Sequence, residues 1–492
     1  MLRSALPGGT PPNASREVYS LARGIVKVVP ELISVDVVLI SFNGLAFRRV
    51  PAIRCDVFFI ARNAIPPAYS SFVRRPDLEL IRQPTFRNIF LARAVSLLGT
   101  SMAPVALAFA VLGEPGGSAA RLGTVLAGRS IAQVLFLVFG GALADRFPRY
   151  RIMVSSDLLA FAAQACVAAL FIAGTPPLAL LVGLSAVNGA ANALFIPASR
   201  GLIPQIVESS RLQSANALIR LSENSASLIG AAVSGAIIVA VGAGWAIGID
   251  AATFGVSAVL VLTSRAPRTG RGDRGVTLLS ELREGWHEFT SRRWVWVVVA
   301  QFALVNLCFS PCVYVLGPVV AKQHWGGALA WSVIVTANAV GLVFGSFLAM
   351  RVRPGRPLLV ATFATFGFVP PFFLIAVHAP VWLVACSMLL NGASVDVFEV
   401  LWMTALQEYI PEDRLSRVNS YDALGSFVLG PLGLLAVGPV SAAIGIGTTL
   451  ASAGALVTAG NLFALGTREV RDLPARPEPP EEGRAPVLHR GP

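Results

Sequence analysis

Apolar stretches of about twenty residues recur along this chain, separated by short polar breaks, and that is the length a helix needs to cross roughly 30 Å of hydrocarbon at about 1.5 Å per residue. Twelve such stretches run near 88–112, 122–144, 152–173, 178–198, 213–240, 244–263, 295–320, 328–350, 357–377, 380–403, 420–443 and 445–466. Glycine and proline punctuate many of them, as lipid-spanning helices tolerate. The pattern predicts an all-α integral membrane protein.

The polar breaks are unequal. One set holds Arg146, Arg149 and Arg151; Arg200 and Arg211; Arg265, Arg268, Arg271, Arg274, Arg283, Arg292 and Arg293; Arg351, Arg353 and Arg356; Arg414 and Arg417. The alternate set holds only Arg121 and Lys322. Cytoplasmic loops carry the excess of basic residues, so the first set, both termini and the 264–294 segment are expected in the cytoplasm of a multi-pass protein of the cell membrane. The same rule explains the net charge of +12 as topology and removes nucleic acid as an expected partner. The expected partners are the lipid bilayer and a small-molecule substrate, bound by a monomer.

The 264–294 segment splits the chain into six spans plus six. IVESSRLQSAN (206–216) and YIPEDRLSRVN (409–419) align without gaps at an offset of 203, each between the fourth and fifth spans of its half. Internal repeats of this kind mark transporters that bind substrate where the repeats meet. The expected organisation is a poorly ordered cytoplasmic extension at 1–84, a six-helix half at 85–263, the linker at 264–294, a second half at 295–466 and a disordered tail at 467–492. The best apolar run of the extension, VVPELISVDVVLISF, carries Glu31 and Asp36 and comes too late for a secretory signal.

Only 13% of residues are charged, which makes the knot GALADRFPRYR (141–151), between the second and third stretches, conspicuous. Two six-span halves with such a turn resemble the major facilitator superfamily, whose loop signature reads G-x-L-A-D-R-x-G-R-K/R. This chain supplies Gly141, Leu143, Ala144, Asp145, Arg146, Arg149 and, one place late, Arg151, with Pro148 in place of the second glycine. The resemblance implies two pseudo-symmetric six-helix halves and a cytoplasmic gate. Gly141 would let helices approach closely, Asp145 would face the positive N-terminus of a helix in the other half, and the arginines would bridge carboxylates. Asp157 and Arg93, within a turn or two of the same surface, are assigned to that gate. RVRPGRP (351–357) is a degenerate copy without the aspartate.

FIPASRGLIPQIV, DVFEVLWMTALQEYIP, LSRVNSYDALGS and GWHEFTSRRWVW resemble the exporter branch that includes the enterobactin exporters and drug-efflux-like permeases. LIGAAVSGA on the fifth span resembles the antiporter motif G-P-x-x-G-G, keeping Gly230 and Gly235 but replacing its proline by Ala231 and a glycine by Ser234.

Ionisable groups inside spans cost about 2.5–3.5 kcal/mol at the helix centre on insertion scales, so each is a functional candidate. They are Arg93, Arg129, Asp157, Arg220, Glu223, Asp250, Asp396 and Glu399. Asp396 and Glu399 share a face of the tenth span at i, i+3, and two nearby carboxylates raise each other's proton affinity. Asp396 is the expected proton site; Glu399 reads either as its helper or as a solvated end charge. Glu223, near the midplane, is either a proton or substrate site or one half of an internal pair with Arg220. Arg129 and Asp250 lie in the outer third of their spans and are candidates for a pair. Cys308 and Cys312 share a face with no histidine or acid beside them, so buried and inert thiols are expected and no metal. No phosphate-binding loop G-x-x-x-x-G-K-[ST] is present, so an ion gradient, without a cofactor, is the expected energy source. The reading is a secondary transporter and no enzyme: a proton-coupled exporter of small hydrophobic compounds, drugs or siderophores. An importer of the same fold and a non-transporting sensor or scaffold are the alternatives.

Overall fold

The computed structural model describes residues 78–474 apart from 175, 209–210, 265–285, 288 and 353; for 137–146, 213, 217, 412, 413, 415–417 and 420 it describes the helical backbone only. Twelve long helical segments follow one another. They are α1 (Pro84–Gly113), α2 (Ala119–Arg146), α3 (Arg149–Ala173), α4 (Leu178–Ile206), α5 (Leu212–Val241) and α6 (Ala243–Thr263). After the 265–285 gap come α7 (Arg293–His324), α8 (Ala328–Arg351), α9 (Pro357–Ala376), α10 (Val381–Tyr409), α11 (Glu412–Phe427 and Gly430–Ile444) and α12 (Ile446–Gly466). Among the described residues, eleven helices are long and apolar enough to cross a membrane; α2, 28 residues long, completes the series.

Proline sets the starts and the interruptions. Pro84 and Pro357 open α1 and α9, where a missing N–H costs nothing. Within α7, Pro318 cannot donate to the carbonyl four residues back, and the ladder widens into a π turn at Cys312–Leu316. Trp331 of α8, 1% exposed, fills the notch this leaves at Gly317. Pro370 and Pro371 follow a 3₁₀ turn at Thr365–Phe368 in α9, and Pro431 follows the break in α11. Several helices outrun the apolar stretch that predicts them: α4 continues through Pro197 and Pro204 to Ile206, and α10 reaches Tyr409. Apolarity marks the membrane-crossing part, whereas backbone hydrogen bonding carries on past it.

The packing repeats. α1 packs on α5 and α6, α3 on α4 and α6, and α2 on α4; likewise α7 packs on α11 and α12, α9 on α10 and α12, and α8 on α10. Gly242, at φ +90°, turns α5 into α6 in one residue, and Gly445, at φ +84°, turns α11 into α12. These two turns stand 203 residues apart, and only glycine adopts that backbone without strain. Across the halves, α5 packs on α8, and Gly430–Ile444 of α11 packs on α2.

Polar side chains gather inside each half: Gln301 of α7 donates to Thr365 of α9 and to Asn461 of α12, both at 2.8 Å. Large apolar side chains such as Phe347, Phe363 and Phe463 stand exposed around the bundle, as a lipid-facing surface requires.

Short pieces outside the spans also pack. Leu78–Arg82 forms a 3₁₀ turn whose Leu80 is fully buried, and Glu79 pairs with Arg211 at 3.2 Å. After α12, Val470 of the short helix Arg468–Asp472 is fully buried, and Tyr409 donates to the carbonyl of Pro474 at 2.7 Å. In the linker, Trp286 and Phe289 stack on each other and both rings meet Tyr421 of α11.

Candidate functional site

The halves touch closely at the ends of the helices opposite the arginine-bearing loops, the Arg-poor end. On α5, Gly235 lies so near Ala328 and Ser332 of α8 that no side chain fits, and Ser234 and Ser332 share a buried hydrogen bond of 3.2 Å. On α11, Gly438 lies equally close to the backbone of Ala120 on α2, and the Leu434 carbonyl fills the space beside Gly123. Lys322, at the end of α7, donates to the Leu112 carbonyl of α1. That carbonyl belongs to a helix C-terminus, where a cation also meets the negative end of the dipole. Lys322 and Arg121 are the two cations of the Arg-poor loops. Arg121 instead bonds Pro176 at 3.2 Å within its own half.

The sequence-derived antiporter-like glycines therefore have separate tasks. Gly230 seats the Leu98 carbonyl of α1, 2.6 Å from where a Cβ would lie, inside the first half; Gly235 seats the second half. The copies 203 residues on do the same: Gly433 seats Leu307 of α7, and Gly438 seats α2. The offset that pairs Arg211 with Arg414 also pairs these glycines, and extending the alignment by about five turns would have revealed them.

Toward the Arg-rich end, Arg93 of α1 donates to Glu223 of α5 and to Ser199 of α4, tying three helices together. The pair is largely sheltered, its side chains 14% and 22% exposed. The partner of Glu223 is thus Arg93 rather than Arg220, because the α1–α5 crossing brings Arg93 in from the facing helix. Arg220 is exposed, as is Arg200 on α4.

In the second half, Asp396 of α10 is half-buried and accepts from Ser346 of α8. Glu399, one turn on, is exposed. The charges acting on Glu399 are Asp422 and Asp396 on its own side and Arg220 and Arg200 from the other half. Asp422 of α11 accepts from Trp402 at 3.0 Å and from Ser426 at 3.3 Å. It is a third acid that sequence reasoning passed over: it lies in the quoted YDALGS, near the start of the eleventh stretch, where a charge reads as an end residue.

Asp157, expected at the gate, is 2% exposed and accepts from Ser257 of α6 at 2.6 Å, inside the first half. Asp250 is 1% exposed and accepts from Gln164 of α3 at 2.6 Å, with its other oxygen lodged against Gly99 of α1. Arg129 and Asp250 feel each other's charge but form no direct ion pair among the described residues. Arg149 donates to the Gly201 carbonyl of α4, and Arg151 bonds and covers the ring of Tyr150. Gly141, Asp145 and Arg146 sit at the end of α2, and their side chains lie outside the described residues, as does Arg353 of the degenerate copy. Cys308 and Cys312 are both buried in α7. A cleft of roughly 540 Å³ opens at the Arg-poor end between Phe109, Glu114, Phe171, Ile238, Trp245 and Lys322.

Comparison with known proteins places this geometry. The profile of the Major Facilitator Superfamily matches residues 89–434. The enterobactin exporter EntS of Citrobacter koseri is 28% identical over 431 residues, covering 84% of this chain and 98% of the relative. That of Salmonella typhimurium is 27% identical over 428 residues, covering 83% and 98%. Among solved structures, the nucleoside transporter NupG superposes with a TM-score of 0.62 at 12% identity, over 78% of this chain and 98% of that one. A bacterial homologue of the human lysosomal transporter Spinster, in an inward-facing and unoccupied conformation, gives 0.60 at 15% identity, over 81% and 99%. The likeness to these structures is one of fold.

Proposed function

Because the chain belongs to the major facilitator superfamily, and is therefore a multi-pass secondary transporter of small molecules, we propose that it is a proton-coupled exporter working by alternating access. The Arg-rich end is assigned to the cytoplasm by the positive-inside rule. On that assignment the halves are closed outside, through Gly235, Gly438 and Lys322, with Arg200, Arg220 and Glu399 exposed at the cytoplasmic side. The substrate class carried by analogy with the EntS relatives is siderophores and other small, largely apolar compounds.

What supports the coupling is that Glu399, exposed one turn beyond Asp396, feels the charges of two acids of its own half and of two arginines of the other. Ionised, Glu399 attracts Arg200 and Arg220 and favours drawing the cytoplasmic ends together. Protonated, it loses that attraction and the cytoplasmic side opens. A proton entering from outside thus resets the carrier inward, and its release inside favours closure behind outgoing substrate. Asp396 receives this proton in the scheme and passes it to Glu399, one turn away on the same face of α10.

The test is efflux of a fluorescent dye from cells, with and without a protonophore, for the wild type, Asp396→Asn and Glu223→Gln. The protonophore should abolish wild-type efflux. Asp396→Asn should lose uphill transport while keeping substrate binding and downhill exchange. Uphill transport by Asp396→Asn, with its loss in Glu223→Gln, would move the proton site to α5. Accumulation of dye driven by the gradient would favour the importer.

A further inference from the structure

The repeat pairs two helix crossings whose side chains differ. In the second half, Gly392 of α10 lies against the Asn338 carbonyl of α8, and beside it the amide of Asn338 donates to Asn391 at 2.9 Å and to the Met388 carbonyl at 3.1 Å. In the first half, Gly189 of α4 lies against the Arg129 carbonyl of α2. Gly189 and Gly392 stand 203 residues apart, as do Asn188 and Asn391, so Arg129 occupies the place of Asn338.

Where the second half has two amides bonded to each other, the first has a guanidinium and an amide with no mutual bond. Arg129 makes no hydrogen bond or ion pair among the described residues. The amide nitrogen of Asn188, in a side chain 3% exposed, has no partner either. Arg129 and Asn188 each lie ten residues from the Arg-poor end of their parallel helices, hence at a matching level, about 15 Å along the helix axis. Asp250 acts on Arg129 through its charge without a direct bond: one of its oxygens accepts from Gln164, and the other lies against Gly99 with no hydrogen-bond partner among the described residues. A buried cation and a buried N–H are both costly unless something accepts from them. Arg129 is partly open to solvent, and Asn188 is the buried neighbour of Gly189, which seats the Arg129 backbone.

We propose that Arg129 and Asn188 receive an oxyanion of the transported molecule, which makes the substrates amphiphilic anions: apolar bodies bearing a carboxylate, sulfonate or phenolate. The guanidinium takes the charge and the Asn188 amide fixes one oxygen. The inference rests on the transport reading above and narrows its substrate class.

The probes are 1-anilinonaphthalene-8-sulfonate and the neutral N-phenyl-1-naphthylamine, which share their rings and differ in the sulfonate. Equilibrium binding of each to the full chain in nanodiscs should favour the anion. Arg129→Gln should lower the anion-to-neutral affinity ratio by about tenfold or more, the factor expected for a hydrogen-bonded charge pair. Arg129→Lys should hold the ratio within about threefold, and Asn188→Asp, which adds an acid to the site, should lower it even with Arg129 intact. No preference for the anion in the wild type, an unchanged ratio in Arg129→Gln, or equal weakening of both probes in that variant would overturn the site. Anion-selective binding without gradient-driven movement of either probe in proteoliposomes would leave the site standing and remove the exporter reading.

Discussion

At the crossing of α1 with α5, Gly230 admits the Leu98 carbonyl; at the crossing of α7 with α11, Gly433 admits that of Leu307. With those two contacts superimposed, Arg93 falls on Phe302, Glu223 on Ser426 and Ser199 on Trp402. The first half fills this place with a sheltered ion pair and a hydroxyl. The second fills it with rings, Phe302 stacking on Phe398 at 4.2 Å and Phe398 on Trp402 at 6.2 Å. One backbone, used twice, carries two different interiors. The glycine seats are where main chain meets main chain and leave no freedom. The side chains beyond them are free to differ, and the charges a carrier needs can be placed on one side only.

Four tests break or sharpen that comparison. The largest effect is expected at the seats between halves. A valine at Gly438 or at Gly235 puts a branched side chain where the facing helix already lies, so the Arg-poor end cannot shut. Each of Gly438→Val and Gly235→Val should cut transport by about tenfold or more, a change of roughly 1.4 kcal/mol in the limiting step, at near-normal membrane levels. A large loss at one seat and none at the other, in a proteoliposome flux assay, would mean that the halves are not mechanically equivalent.

Next is the ion pair. Arg93→Leu leaves Glu223 without its partner, and breaking a sheltered pair from one side costs up to about 3–5 kcal/mol, less here because both groups keep some solvent. The double variant Arg93→Leu, Glu223→Leu should recover most of the lost thermal midpoint, since apolar packing suffices at the equivalent place around Phe302. A double variant as unstable as the single would show that the two interiors are not interchangeable. A smaller effect is expected from Lys322→Met. Removing one partly exposed charged hydrogen bond across the halves is worth about 1 kcal/mol, and should raise the labelling rate of a cysteine introduced at the Arg-poor end several-fold. An unchanged rate would reduce Lys322 to a surface charge.

The smallest effect belongs to the Arg-poor loops. His324 at the end of α7 stacks on His378 of the α9–α10 turn, centroids 3.9 Å apart. Partial burial, and then the charge of His324, hold the His378 imidazole below the ordinary histidine value. A histidine depressed in the folded state takes up its proton more readily when unfolded. The stack's contribution is therefore complete above the ordinary histidine pKa of about 6.5 and is lost as pH falls below it. The thermal midpoint of the wild type should drop relative to His378→Gln between pH 8 and pH 5; parallel curves would show that the stack does not sense protons.

The twelve helices were legible because apolar length is a local property, and the two-fold repeat because the offset of 203 survives in IVESSRLQSAN and YIPEDRLSRVN. The tasks of Gly230 and Gly235 were half legible: the motif marks them, but nothing local says that one faces its own half and the other the partner half. The pairing of Glu223 was not legible at all. Arg220 is its neighbour on one helix, whereas Arg93 lies 130 residues away and is brought in by a crossing.

Sequence alone determined where the chain enters and leaves the membrane, and that it does so in two similar halves, because lipid requires every spanning segment to be apolar and internally hydrogen-bonded. Tertiary structure decided which charges meet. A guanidinium or a carboxylate inside the bundle is satisfied by whatever a neighbouring helix presents at its level, and that neighbour is set by helix crossings spread over the whole chain. So Arg93 joins Glu223, Glu399 feels the charges of Arg220 and Arg200 from the other half, and Arg129 feels that of Asp250 without a direct bond among the described residues.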